Sequence, residues 1–519
     1  MIFSMNPKIK YILPKIAGVL AVLAISVIAL AVFANSMTKS LGHDEQMYCT
    51  AAALVAQGRM IYRDFSYVAQ MPYHPLLCAA IFNLLNTTHY LLTARIISSL
   101  CDIFIIICII GIYYRAFGSS PAGLLPGLAG AVMYVFNPFV DYANGLAWNH
   151  DLITLCIVLS FWIFQTSDSK SKPGYWPVAV IAALLTLAAC TRPTTILVQF
   201  LFFAALLIQR TGSVKQKMTI ILLFLAVTAV FWAWPAWTIL SAPRASFLNL
   251  LLIPLLNSRF LHQTGMFYGK SEMIFIFLTM NACFSLILMA VYLCAAVLWN
   301  LKKLKIPNKK LMIFACLLTI VCFIIAFIPL TTWPQYFAAP ILLLIISFAY
   351  PLSYLRRLAG DRYFIIAVVL MIACAFTTIG SNFEVFERIP QLLTPRSWVP
   401  IQVHNISQDI ARRAKSPKLA LTLSPLYAIE GGCEIYTEFS AGPFVYRIAD
   451  DLSPSDRRLL NAVGSESLGE LPKNHPPSVM ILGLEPKFLE VPFFRHIKPD
   501  KETWDVKIYD NGPMVYFRR

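Results

Sequence analysis

From Lys15 almost to Gly380 the chain alternates long apolar runs with short polar stretches. The runs are about 17 to 25 residues long, enough for a helix to cross roughly 30 Å of hydrocarbon. The pattern predicts about eleven spans, because that many runs reach this length: 14–36, 90–114, 121–139, 150–167, 175–190, 193–209, 218–240, 273–299, 311–330, 337–352 and 363–380. The first run follows a basic N-terminus but exceeds a signal-peptide core and lacks a convincing cleavage site, so it reads as a retained anchor. Between the first two spans, residues 37–89 are too polar to cross a membrane. Asp44 to Gln57 predicts a helix there, and Pro72 and Pro75 punctuate a return towards the membrane at 76–85. A second outer loop, 241–272, is longer than a connector needs.

After Gly380 the pattern changes to that of a soluble domain. Leu419 to Leu423, Val479 to Leu482, Asp505 to Tyr509 and Met514 to Phe517 predict strands, with Asp510-Asn511-Gly512 as a hairpin turn and a helix over 402–414. The expected architecture is an all-α polytopic membrane domain over 1–380 and a small extracytoplasmic α/β domain over 381–519. The 519 residues agree with this: 58% are hydrophobic, 13% are charged and the mean hydropathy is +0.68.

The formal charge of +16 does not point to nucleic acid. Residues 381–519 carry 17 basic and 17 acidic side chains, so the excess lies in the membrane part. There Lys8, Lys10, Lys15, Arg115, Lys170, Lys172, Arg210, Lys215, Lys217, the cluster from Lys302 to Lys310, and Arg356, Arg357 and Arg362 fall on one set of alternating loops. The positive-inside rule makes that side cytoplasmic. The N-terminus is then inside, and an odd number of spans puts the C-terminal domain outside. Ten of the twelve cysteines lie in or near apolar runs, without metal-type spacing. Cys49 and Cys433 look aqueous, and both a disulfide between them and two unmatched thiols are open.

Residues 1–380 contain nine acidic side chains. Asp168, Glu272 and Asp361 read as solvated surface charge. Asp102 falls inside a span, where an unpaired carboxylate is costly, and Arg95 is the expected partner. Asp44, Glu45, Asp64, Asp141 and Asp151 are expected at the outer water boundary. Asp44 and Glu45 also suit a helix N-terminus, where carboxylates accept backbone N–H bonds and complement the dipole.

The stretch from Gly42 onward runs through Asp44, Glu45, Tyr48, Gly58, Tyr62, Asp64, Phe65, Pro72 and Pro75 to Arg95 and Ser98. It resembles the GT-C glycosyltransferases, specifically bacterial relatives of the protein O-mannosyltransferases and of the aminoarabinose transferases that modify lipid A, grouped around glycosyltransferase family 39. Asn149-His150-Asp151, Thr191-Arg192-Pro193 and Trp333-Pro334-Gln335-Tyr336 match in the same order. The resemblance implies inverting transfer of a sugar from a polyprenyl-phosphate carrier to an acceptor hydroxyl on lipopolysaccharide, glycan, lipid or protein. It also implies a bacterial inner membrane, with the C-terminal domain in the periplasm.

On that reading Asp44 is the general base, Glu45 orients the acceptor or supports a hydrogen-bond network, and Asp151 is a second carboxylate in the cleft. The departing phosphate calls for cations, for which Arg59, Arg63, Arg192, Arg244, Arg259, His262 and Lys270 are outer candidates. Tyr62, Asp64 and Tyr336 complete the expected substrate-binding set. His74, in the proline-flanked return, is where a phosphate or divalent cation contact is allowed. Related aminoarabinose transferases carry a Glu-Lys pair in this area, whereas here the stretch is Ala69-Gln70-Met71-Pro72-Tyr73-His74, which argues against assuming their sugar or acceptor. No cofactor is required, since no nucleotide diphosphate needs a cation. The competing readings are a lipid-linked sugar flippase, which would place polar residues near mid-membrane, and a non-catalytic subunit of the same fold.

Overall fold

The computed structural model describes all residues except 1–6, 169–173, 210–212, 301–305, 307, 359–361, 501 and 511. Several of the basic residues used above for orientation, Lys170, Lys172, Arg210 and Lys302 to Lys305, lie outside the described residues, as do Asp361 and Asn511 of the expected hairpin turn.

Among the described residues, eight helices are long and apolar enough to cross a membrane: Gly18–Thr38, Tyr90–Ala116, His150–Ser167, Val214–Ser241, Asn281–Asn300, Lys309–Phe327, Pro334–Leu355 and Arg362–Ser381. The other three expected spans are the shorter apolar helices Pro121–Val135, Trp176–Ala189 and Pro193–Ile208. Chain-breaking chemistry shortens them: Pro121 and Pro193 each open a 3-10 turn, and the chain turns sharply between Cys190 and Pro193. Trp176–Ala189 packs one face into the bundle, with Val178, Ile181, Ala182 and Leu185 fully buried, whereas Phe200 and Ile208 of the third helix are exposed. The expected span 273–299 is two helices, Lys270–Thr279 and Asn281–Asn300, broken where Met280 becomes extended. On Val214–Ser241 the side chains of Leu222, Val230 and Leu240 point away from the bundle, as they would towards lipid tails.

Four helices set up the face that meets the C-terminal domain: α1 (Pro7–Thr38), α2 (His43–Ala56), α3 (Tyr73–Leu85) and α4 (Tyr90–Ala116). The polar segment between α1 and α4 therefore forms two helices, and neither spans. Its irregular part is pinned by backbone bonds: Ala69 N–H donates to Asn249 O (2.9 Å) and Met71 N–H to Thr191 O (3.1 Å). The second long loop is also ordered, as Pro243–Phe247, a π-turn and Ile253–Thr264.

All five named strands lie in the C-terminal part: β1 (Leu419–Thr422), β2 (Glu434–Ile435), β3 (Val479–Leu482), β4 (Trp504–Ile508) and β5 (Met514–Arg518). The order is β2-β1-β3-β5-β4, with β2, β1 and β3 parallel and β3, β5 and β4 antiparallel. The central strand β3 is buried along its whole length, whereas β4 at the edge is mostly exposed, which matches their apolar and alternating sequences. Only β2 went unexpected, because two residues are too short to show a period. This α/β unit rests on the segment between α1 and α4: Met47 and Leu54 of α2 and Leu91 of α4 share an apolar cluster with Val403, Leu426 and Ile429. Cys49 and Cys433 sit in the same cluster as buried free thiols, so neither is aqueous and they form no disulfide.

Candidate active site

The first turn of α2 carries two adjacent carboxylates, and the helix rotates them about 100° apart, so that they face different surroundings. Glu45 points inward and is fully buried. Arg95 of α4 holds it bidentately, Nε to Oε1 at 2.8 Å and Nη2 to Oε2 at 2.7 Å. The same carboxylate accepts Gly42 N–H (2.8 Å) and Ala147 N–H (2.7 Å). Arg95 gives its remaining N–H groups to Ser36 O, Lys39 O and Ser40 O at 2.7, 2.8 and 3.1 Å. One buried pair thus ties together the end of α1, the start of α2, α4 and the loop before His150. A buried pair with every donor and acceptor partnered is the arrangement in which desolvation is best offset.

Glu45 is therefore a structural clamp within a hydrogen-bond network, one of the two roles expected for it, and it does not line the large cavity. Arg95 pairs with Glu45, so the expected Asp102–Arg95 pair is absent. Asp102 instead lies buried beside Asp151, and neither of its oxygens finds a hydrogen-bond partner among the described residues. Asp151 is buried, accepts Gly145 N–H at 3.2 Å and lines no part of the large cavity. It caps the loop at the head of its helix rather than serving as a second carboxylate in the cleft. Asp141, also expected at the boundary, is paired with Lys39 at 2.9 Å.

Asp44, one residue from the clamp, lies in the wall of a cavity of about 1810 Å³. It accepts no hydrogen bond among the described residues. Burial pushes its carboxyl up to about 6, and the nearby His43, Arg447 and Arg192, which favour the ionised form, hold it from rising further. The result is a carboxylate that is ionised near neutrality and has free lone pairs.

Around it the wall is polar. Arg192 has Nη2 at 2.7 Å from His150 Nε2, and its guanidinium lies over the Tyr336 ring at 5.3 Å. Arg447 comes from the C-terminal domain, bonded through Nε to Asn257 Oδ1 and lying over Phe444 and Phe260 at 5.0 and 5.4 Å. Burial draws its pKa down to about 10, so it remains a cation at neutral pH. Glu485 of the same domain meets His43 Nδ1 at 2.9 Å and raises the imidazole pKa. Away from these groups the cavity is apolar, lined by Trp232, Ile239, Ile325, Ile328 and Leu330.

The expected binding set divides. Arg192 and Tyr336 line the cavity together with Asp44. The others lie elsewhere. Arg63 is exposed and pairs with its neighbour Asp64 at 2.7 Å, while Asp64 also accepts Met60 N–H at 2.7 Å. Tyr62, in the left-handed region, donates its hydroxyl to Gln70 O. These three residues shape the turn of the outer loop, since sequence neighbours satisfy one another before they can reach across it. His74 is buried with its ring edge-on to Tyr48 at 5.3 Å, and it lines neither the cavity nor a group of metal-ligating side chains. Arg259, His262 and Lys270 are exposed, and His262 lies against Phe267 at 3.8 Å. The second loop does border the cavity, but through Leu250, Pro254, Leu261 and Tyr268 rather than through its cations.

Sequence reasoning missed Arg447, Glu485 and His43. His43 adjoins Asp44. Arg447 lies in the C-terminal domain, for which the sequence suggests no chemistry. Nothing local marks Glu485.

No family model matches the chain, and no curated protein matches its sequence significantly. Solved structures do. ArnT from Cupriavidus metallidurans in the apo state aligns with a TM-score of 0.60 at 13% identity, over 96% of this chain and 98% of that one. The same protein bound to undecaprenyl phosphate gives 0.57 at 13% identity, over 95% and 97%. The Archaeoglobus fulgidus oligosaccharyltransferase AglB, in complex with an inhibitory peptide and a dolichol-phosphate, gives 0.52 at 10% identity, over 96% and 74%. The chain is a multi-pass membrane protein with the GT-C fold that these proteins share.

Proposed function

We propose that this protein is an inverting glycosyltransferase that moves a sugar from a polyprenyl-phosphate carrier to an acceptor hydroxyl at the outer face of a bacterial inner membrane. The observation that carries the proposal is Asp44, an unbonded carboxylate whose pKa is pushed up to about 6, in the wall of a large cavity lined by the cations Arg192 and Arg447 and by extensive apolar surface. Asp44 accepts the acceptor's hydroxyl proton as that oxygen attacks the anomeric carbon. The carbon–oxygen bond to phosphate breaks as the new bond forms, so configuration inverts. Arg192 and Arg447 offset the charge developing on the departing phosphate. The apolar wall takes the first isoprene units of the carrier, and no cofactor enters the step.

The sequence of basic loops supports a cytoplasmic N-terminus, which puts Asp44 and the C-terminal domain in the periplasm. The acceptor class, whether lipopolysaccharide, glycan, lipid or protein, is set by the solvent side of the cavity. In the experiment, purified protein in lipid nanodiscs receives a panel of radiolabelled polyprenyl-phosphate sugars with membrane acceptors, beside Asp44→Asn. Transfer by the wild type and none by the variant is expected. Equal transfer by both removes Asp44 as the base, and no transfer with any donor removes the enzyme reading.

A further inference from the structure

Away from the cavity, three residues far apart in sequence meet where the membrane bundle touches the C-terminal domain. His89 is the residue before α4, His404 lies in the helix Val399–Arg413, and Glu430 follows the short helix Leu426–Ile429. One ligand atom from each lies within 4.8 Å of the others. The two imidazoles stack, with centroids 3.5 Å apart and planes at 23°. Glu430 Oε1 is 3.2 Å from His404 Nδ1, and the other carboxylate oxygen accepts Leu91 N–H at 3.3 Å. His89 Nδ1 is buried without a hydrogen-bond partner. None of the three lines the large cavity.

Hydrogen bonding within the protein accounts for only part of this. The His404–Glu430 contact and the Leu91 amide satisfy the carboxylate, but they leave a second imidazole face-on to the first with a buried nitrogen unmatched. Two protonated rings at that separation would repel, so a proton on each is not what holds them together. Two half-buried imidazoles and one buried carboxylate are the donor set that an ion of the zinc class takes. Tetrahedral coordination at about 2.0–2.2 Å needs donor atoms roughly 3.3 Å apart, which modest side-chain rotation provides, and a water would take the fourth position. The Leu91 amide on the second carboxylate oxygen is the outer contact that fixes a ligating carboxylate in place.

We infer that His89, His404 and Glu430 form a structural transition-metal site of the zinc class, clamping the C-terminal domain to the outer end of α4. Such an ion joins residues more than 300 positions apart in sequence and steadies the domain that carries Arg447 and Glu485. It takes no part in sugar transfer, so this inference and the proposed function stand or fall separately.

The test uses the full-length protein in detergent, with its affinity tag removed. After chelator treatment it is loaded with zinc and desalted, and metal content and melting temperature are measured for the wild type, His89→Ala, His404→Asn and Glu430→Gln. The expected result is one zinc retained per wild-type chain with a rise in melting temperature. Each variant should lose both, with affinity weakened by about 10-fold or more. Failure of the wild type to retain zinc overturns the inference whatever the variants do. Equal retention by the wild type and either histidine variant overturns it as well.

Discussion

On the inner side of the first turn of α2, Glu45 receives four hydrogen bonds, two of them from a matched guanidinium, while on the other side Asp44 receives none among the described residues. The two residues are adjacent and chemically alike, yet every lone pair of one builds the molecule and those of the other are free for chemistry. The clamp makes this possible. A carboxylate at the edge of a cavity is useful only if its helix cannot turn, and the Arg95–Glu45 pair prevents that by tying four segments to one point. The same contrast appears between the loop cations. Arg63 is neutralised by its neighbour Asp64, whereas Arg192 and Arg447 are held by a histidine, an amide and aromatic faces and form no direct ion pair among the described residues.

Several measurements would break or sharpen that contrast. The largest effect is expected from Asp44→Asn, which removes the base and should lower kcat about 10²–10⁴-fold, read as transfer from a polyprenyl-phosphate sugar. Its stability should not fall with its activity. Asp44 has a pKa raised from 3.8 to about 6 on folding, so its contribution to stability is complete below its unfolded pKa and is lost as pH rises through about 6. At pH 7 the asparagine variant should melt no lower than the wild type. A clear drop in its melting temperature would mean that Asp44 is structural.

Glu45→Ala is expected to do the reverse. It leaves the Arg95 guanidinium buried without its counter-charge, at a cost of about 3–5 kcal/mol, measurable as a loss of thermal stability. If that variant folds normally and loses only transfer, the clamp reading fails and Glu45 belongs to the chemistry.

Next in size is Arg447→Ala, for which the loss of one charge facing the leaving group predicts about a 10²-fold fall in kcat. It should also move the acid limb of the pH profile. In the wild type, transfer should rise with pH through a midpoint of about 6, as Asp44 ionises. Removing a cation that favours the ionised carboxylate should shift the midpoint upward. A profile that does not move would separate Arg447 from Asp44. The smallest effect is expected from Arg259→Ala on the exposed face of the second loop, where transfer should change by no more than about twofold, as is usual for an isolated surface charge.

Much of this was written in local sequence. Hydrophobic periodicity is a local property, so the membrane spans, the strands β1, β3, β4 and β5 and the helix after Asp44 could be read directly. The acidic inventory of a membrane domain is short enough that Asp44 stood out. What could not be read was which way neighbours face and whom they meet. The Asp102–Arg95 pairing was reasonable by spacing along α4, but Arg95 lies at the end of that helix, where α1 and α2 arrive, and Glu45 reaches it first. The candidate cations of the outer loops were chosen by sign and location. Sequence neighbours or solvent then satisfied Arg63, Arg259, His262 and Lys270, while the cavity took Arg447 from a domain that carried no expected chemistry.

The sequence alone determined that this is a bundle of apolar helices with a long polar loop and an appended α/β unit, because burial of apolar surface and satisfaction of backbone polar groups follow from residues a few positions apart. The division of labour between Asp44 and Glu45, and the delivery of Arg447 and Glu485 to the cavity, were decided only when segments hundreds of residues apart packed together. Charge is compensated through space, and a linear order does not say which distant group will arrive.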